Sequence, residues 1–177
     1  GEIFKNLDLA KTLEEISKTK RKSFYEGRLA REIARFIKDQ GGFLSFEDMS
    51  NYASEWVEPV SSNYRGYDVW ELPPNGQGIA ALQILNILEG FDLKAMGLNS
   101  AEYVHHFVEA KKIAFADRAK YYADPKFNNI NIEYLISKEY AELRRKEINS
   151  SKASQTDSAG VLKNGDTIYL TTADKDG

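Results

Sequence analysis

The 177 residues make up about one domain, taking roughly 150 residues per domain as a prior. With 42% hydrophobic and 29% charged residues the chain can bury a sizeable core, which excludes disorder throughout, and 12 Gly with no Cys exclude a collagen-like or disulfide-stapled fold. A net charge of -3 offers no global basic field to nucleic acid or anionic lipid, and the missing cysteines exclude thiolate catalysis and Cys-ligated zinc.

Leu7, Leu9, Leu13 and Ile16 stand near helical spacing and predict an amphipathic helix over residues 7–18. The basic run Lys18 to Lys22 reads as a solvated loop. Phe24, Leu29, Ile33, Phe36 and Ile37 mark a second helix that Gly41-Gly42 stops. Ser45-Phe46-Glu47-Asp48 resembles a capping box with Asp in place of Glu, opening a short helix through Tyr52. Trp56 to Val60 and Tyr67 to Leu72 read as extended, with a turn at Asn63-Tyr64-Arg65-Gly66 between them.

Pro73-Pro74-Asn75-Gly76-Gln77-Gly78 breaks any regular element and leads into an apolar helix, Ile79 to Glu89. The longest apolar run, Ile79 to Leu88, holds Gln83 and Asn86 and is too short to span a bilayer, so no membrane segment is expected. Residues 100–123 predict the longest helix, ended by Asp124-Pro125. Another runs near Ser137 to Ile148, with Glu142, Arg145 and Lys146 on its solvent face. Asn149 to Asp166, polar and small, reads as an exposed, mobile connector. From Thr167 the β-branched and aromatic residues suit a strand, and Asp176-Gly177 is a hairpin turn with no return. A chain cut from a longer protein explains that ending, beside the plainer alternative of a frayed tail.

His105 and His106 are the only histidines. His105 and Glu109 share a helix face as a metal pair would, but no third ligand stands near, so helix packing or hydrogen bonding is the stronger reading. Asn75 to Gly78 before a helix offers free N–H groups to an anion, yet lacks a phosphate-loop Lys and reads better as a structural turn. Glu109 and Asp117 with Arg118 form a carboxylate pair or, more simply, salt-bridged and capping groups.

Asp166-Thr167 is the informative site. A threonine opening a strand after a loose connector is placed for self-cleavage: its hydroxyl attacks the Asp166 carbonyl carbon, the amide becomes an ester, and water frees Thr167 as a new N-terminus. Its α-amine, with a pKa of about 7.7–8.0, then serves as base for its own hydroxyl. Threonines that open strands are common, so an ordinary strand start remains the other reading.

In chain order, Phe4 to Leu13, Phe24-Tyr25-Glu26-Gly27, Gly41 to Asp48, Glu58-Pro59-Val60, Tyr64-Arg65-Gly66-Tyr67, Leu85 to Leu93, Ala114-Phe115-Ala116-Asp117-Arg118-Ala119, Tyr122-Ala123-Asp124-Pro125 and Gly165-Asp166-Thr167 together resemble the γ-glutamyltransferase (γ-glutamyltranspeptidase) family of N-terminal nucleophile hydrolases. The resemblance implies an α+β fold, part of a four-layer αββα sandwich, this stretch mainly helical with a few short strands. It implies that residues 1–148 are the C-terminal region of a large subunit, 149–166 the connector before the cleavage site, and 167–177 the truncated first strand of a small subunit. Thr167 is then the catalytic nucleophile and Asp166–Thr167 the scissile bond. No metal or cofactor is implied. The implied partners are a γ-glutamyl substrate such as glutathione, an amino-acid, peptide or water acceptor, and the rest of both subunits.

Two departures matter. Ile168-Tyr169 follow the nucleophile where Thr-His is usual, and Pro73 to Gly78 replaces a serine- and glycine-rich turn. Both look like the branch with glutaryl-type cephalosporin acylases, which leaves acyl preference and the balance of transfer and hydrolysis open; a catalytically dead binding module is a further alternative. The family's carboxylate-clamping arginine is expected before Gly1 and its oxyanion donors after Gly177, so the isolated chain is expected to be inert and uncut.

Overall fold

The computed structural model describes residues 1–155 and 157–162. They fall into two compact units, one over Gly1–Trp56 and one from Val57 onward.

The first unit is four helices. α1 (Leu7–Thr19) starts where Asn6 accepts a hydrogen bond from the Leu9 N–H at 2.9 Å. It ends because Lys20 and Arg21 turn left-handed, at φ 49° and 71°. The helix expected to run from Phe24 to Ile37 is two, α2 (Lys22–Tyr25) and α3 (Arg28–Asp39). Gly27 makes the break possible: a Cβ there would lie 2.7 Å from the Ser23 Cα, so no side chain fits between the two turns. The Glu15 carboxylate joins the three helices, accepting from the Ser23 hydroxyl and pairing with Arg28. α4 (Phe46–Asn51) opens with the expected capping box: the Asp48 N–H donates to the Ser45 Oγ at 3.1 Å, and the Ser45 N–H to the Asp48 carboxylate at 2.8 Å. Leu29, Ala30, Ala34 and Met49 are the buried apolar residues of this unit.

The second unit begins with a hairpin, β1 (Val60–Tyr64) and β2 (Tyr67–Glu71), antiparallel with Val60 opposite Glu71 and Tyr64 opposite Tyr67. That register leaves only Arg65 and Gly66 in the turn, both at positive φ (51° and 91°), the geometry that lets two twisted strands meet without splaying. The first strand was expected at Trp56 to Val60 and the turn from Asn63. Because the turn takes two residues, β1 lies later, and Asn63 supports the loop from within the strand by accepting from the Gly66 N–H at 3.0 Å.

α5 (Gly78–Leu88) follows, apolar around nearly its whole circumference and accordingly buried, as a helix without a polar face must be. The β2 exit packs closely on its first turn, since a Cβ on Gly78 would stand 3.0 Å from the Leu72 carbonyl oxygen. This close approach gives the turn over residues 73–78 a structural purpose. α6 (Leu93–Met96), α7 (Ala101–Tyr121), α8 (Ile132–Leu135) and α9 (Lys138–Arg145) start at Asp92, Ser100, Asn131 and Ser137, each of which accepts from a backbone N–H two residues inside its helix. One apolar cluster joins Ile87, Leu88, Ala110, Ile113 and Ala141; the other joins Ile79, Leu135 and Tyr140. α5 therefore lies against α7 and α9. Arg145, expected on the solvent face of α9, is half-buried and donates to the Ile87 and Asn86 carbonyl oxygens at 2.7 and 2.8 Å. It satisfies the free carbonyls that end α5. Among the described residues the chain is thus helix-dominant α+β with one two-stranded sheet, as expected.

Candidate functional site: the approach to the Asp166–Thr167 bond

Asp166 and Thr167, and the strand expected to follow them, lie outside the described residues. The stretch that leads to them does not, up to Leu162. Composition reads it as exposed, and its described residues form no helix or strand, but its contacts are specific. It runs alongside α7, in the same direction.

The first holds are the histidines. The His105 imidazole meets the Asn149 carbonyl oxygen at 2.8 Å through Nε2. His106, buried, donates from Nδ1 to the Glu102 carbonyl oxygen at 2.8 Å, which leaves Nε2 to accept from the Ser150 hydroxyl at 3.1 Å. Phe91 packs on the same ring with centroids 4.5 Å apart. Glu109, only 3% exposed, comes next: it accepts from the Ser154 N–H at 3.0 Å and pairs with Lys112 at 3.0 Å. Lys112 also donates to the Ser154 carbonyl and pairs with Asp157 at 3.3 Å. Glu109 and then Asp157 raise the Lys112 pKa above its ordinary value. His105 and Glu109 thus both hold the connector, and among the described residues no three potential ligands cluster.

The strongest hold is at Gly160. Its N–H donates to the Asp117 carboxylate at 2.8 Å, and its carbonyl accepts from the Tyr121 hydroxyl. Positions 117 and 121 are four apart, so one face of α7 grips both polar groups of a single residue. Only glycine fits, because a Cβ would collide with the Tyr140 hydroxyl and lie 3.0 Å from the Arg144 Cδ.

Asp117 is fully buried and shared by three elements. Besides Gly160 it accepts from Gln83 Nε2 of α5 at 2.9 Å and from the Tyr140 hydroxyl of α9 at 2.9 Å, and it faces Arg144 at 3.5 Å. Arg144 in turn donates to the Ser158 carbonyl at 2.7 Å. Burial first, and then the Asp117 charge, hold the Tyr140 and Tyr122 hydroxyls well above their ordinary pKa, so both stay protonated donors. Tyr122 uses its proton on the Gln83 side-chain oxygen. A buried carboxylate that accepts three hydrogen bonds from three parts of the fold and faces an arginine is a structural hub.

The salt-bridged reading of Glu109 and Asp117 therefore holds, while Arg118 lies over the Phe115 ring at 4.9 Å. Lys112, Tyr121 and Gly160 escaped the sequence reading. The available signal was the run of polar groups at helical spacing along one side of α7.

Solved structures place the fold among γ-glutamyltranspeptidases and a cephalosporin acylase. Helicobacter pylori γ-glutamyltranspeptidase superposes with a TM-score of 0.68 at 34% identity, over 94% of this chain and 49% of that one. A cephalosporin acylase from Bacillus halodurans gives 0.63 at 45% identity, over 84% of this chain and 27% of that one. The family model for gamma-glutamyltranspeptidase matches residues 1–177, and the chain belongs to that family. It is 40% identical over its whole length to 33% of the glutathione hydrolase-like YwrD proenzyme of Bacillus subtilis. The chain spans about a third of the length of the curated relatives it matches.

Proposed function

We propose that this chain is the part of a self-processing γ-glutamyl hydrolase or transferase that carries the end of the large subunit and the start of the small one. The observation that carries the reading is an intact Asp166-Thr167 pair, in a chain of this family, directly after a connector fastened to α7. The Thr167 hydroxyl attacks the Asp166 carbonyl carbon, the C–N bond breaks as an ester forms, and the amine keeps the proton the hydroxyl gave up. Water then cleaves the ester. The freed α-amine takes the proton of the Thr167 hydroxyl as that oxygen attacks the γ-amide of a glutathione-like substrate. The amine product leaves with the proton, and water or an amino-acid or peptide acceptor resolves the γ-glutamyl ester.

A second reading, a glutaryl-type acylase working through the same threonine, is favoured by the 45% identity to the cephalosporin acylase and by Ile168-Tyr169 after the nucleophile. The test uses the full-length precursor. Two bands on a denaturing gel, the smaller starting at Thr167, support self-processing; Thr167→Ala should stay whole and inactive, and Thr167→Ser should retain some of both. A Thr167→Ala precursor that matures and turns over sinks the proposal. Comparing γ-glutamyl- and glutaryl-anilide hydrolysis decides between the two acyl groups.

A further inference from the structure

The turn that joins β2 to α5 takes no part in the connector or in the chemistry of Thr167, but it carries a reactive pair. Asn75 and Gly76 are both exposed, between the buried Pro74 and Gly78, where α5 begins. Among the described residues Asn75 is the one asparagine followed by glycine, and its side chain makes no hydrogen bond with them. Other asparagines are held or blocked. Asn86 is fully buried, accepts from the Ser62 hydroxyl, donates to the Ile136 carbonyl oxygen and is followed by the branched Ile87. Asn63 is exposed, but it donates to the Asp68 carboxylate at 2.9 Å and accepts from the Gly66 N–H, and Tyr64 follows it. Around Gly76 the space is open: a Cβ built there meets nothing within 4 Å. The turn is thus free to bring the Gly76 nitrogen to the Asn75 side-chain carbonyl, within the reach an asparagine has toward adjacent backbone.

We propose that Asn75 is a modification site, converted without an enzyme to a mixture of aspartyl and isoaspartyl residues through a succinimide. The Gly76 nitrogen gives its proton to hydroxide and attacks the Asn75 Cγ. A C–N bond forms there, the bond from Cγ to the side-chain nitrogen breaks, and that nitrogen leaves as ammonia with a proton from water, which restores the hydroxide. Water is the only reagent consumed. It then opens the ring at either carbonyl. Opening at Cγ restores the ordinary backbone and leaves an aspartyl side chain. Opening at the Asn75 backbone carbonyl leaves the chain running through Cγ, an isoaspartyl residue with one extra methylene in the backbone. Either product adds a carboxylate three residues before Gly78. The isoaspartyl form also lengthens the turn that sets the Leu72 carbonyl oxygen against the start of α5.

The experiment incubates the full-length precursor in mildly alkaline buffer made with heavy-oxygen water, one sample folded and one in guanidinium. Tryptic fragments are then mapped by mass spectrometry over time, and circular dichroism confirms that the first sample keeps its helices. Cleavage after Arg65 and Lys94 puts Asn75 and Asn86 in one fragment, so Asn86 serves as an internal standard. The same pair at Asn164-Gly165, outside the described residues, falls in a separate fragment. Position 75 should take up solvent oxygen and yield both aspartyl and isoaspartyl forms. Its rate in the folded sample should lie within about fivefold of the denatured rate, because an exposed turn gives little protection. Asn86 should remain an amide in the folded sample.

Gly76→Ala should slow conversion about tenfold, since a methyl group on the attacking residue crowds ring closure. The same methyl meets nothing in the fold, and the slowing is also read in guanidinium, where folding plays no part. A folded rate more than about fivefold below the denatured one overturns the proposal, because the turn then shields Asn75. An aspartyl product without its isoaspartyl partner, or an unchanged rate in Gly76→Ala, overturns the succinimide route.

Discussion

The two units of the chain bury their helices very differently. α1 spans thirteen residues and buries none of them, and its Leu7, Leu9 and Leu13 are all more than half exposed. α5 spans eleven and buries seven, two of them the polar Gln83 and Asn86. The first unit is held by caps and ion pairs near water: Ser45 with Asp48, Glu15 with Ser23 and Arg28, Glu32 with Arg35. The second buries its polar groups and satisfies them through distant parts of the chain. Asn86 is one example: fully buried, it accepts from the Ser62 hydroxyl and donates to the Ile136 carbonyl oxygen, each at 2.6 Å. Polar contacts exposed to water are worth little individually, whereas buried ones are costly to break. The difference between the units should therefore appear first in how they respond to loss of a side chain.

The largest effect is expected at Asp117. Asp117→Ala leaves Arg144, 3% exposed, without the carboxylate it faces, and strips acceptors from Gln83, Tyr140 and Gly160 at once. Removing one partner of a buried ion pair costs about 3–5 kcal/mol. Denaturant unfolding of the full chain should show the second unit melting first, and a loss below ~1 kcal/mol would mean that the hub is not what holds α5, α7 and α9 together. Next in size is a matched pair of truncations. Ile87→Ala, in a side chain 1% exposed, should cost about 2–4 kcal/mol, and Leu9→Ala, at 52% exposure, less than ~0.5 kcal/mol. Equal costs would erase the contrast between the units.

Much of this was legible in the sequence because it is written in local signals. The Ser45–Asp48 box, the apolar run of α5, the Ser100 and Ser137 starts and the Gly41-Gly42 stop each depend on neighbours a few residues away. What was not legible depends on distant partners. Gly27 splits a helix because Ser23 crowds it, and nothing in the apolar spacing of Phe24 to Ile37 signals that. Arg145 looked like a solvent-facing charge because its role, capping α5, belongs to a helix more than fifty residues earlier. The connector looked mobile because small polar residues lack side chains to bury. Its hold comes instead from its backbone groups, which composition does not report. Asp166 and Thr167 were singled out from residue chemistry and family resemblance, and they remain the site to test.

The smallest expected effect concerns pH, and it divides the units by direction. In the first unit the Asp48 carboxyl is held below its ordinary pKa by the Ser45 hydroxyl and then the Ser45 N–H; Glu15 is lowered by Arg28 and then Ser23, and Glu32 by Arg35. A folded-state pKa below the unfolded one gives stability that is present above the unfolded value and lost as pH falls through the folded one. In the second unit Lys112, Tyr122 and Tyr140 are raised, so their contribution is full below their ordinary values of 10.5 and 10.0 and is lost as pH rises beyond them. Glu89, lowered by Lys138 and then the Arg65 N–H, gives the second unit an acid-side dependence as well. The chain has two methionines, Met49 in α4 and Met96 in α6, so methyl NMR of labelled methionine reads each unit separately. On acidification below about pH 4 the Met49 signal should lose its native shift at lower denaturant than at neutrality, and above about pH 10 the Met96 signal should do so. Ser45→Ala sharpens the test. It should cost about 1 kcal/mol at neutral pH through the lost cap, and it should also flatten the acid response of Met49, because the hydroxyl that lowers Asp48 is gone. An acid response unchanged by that substitution would assign the effect to Glu15 and Glu32 and leave the capping box a purely local stabiliser of α4.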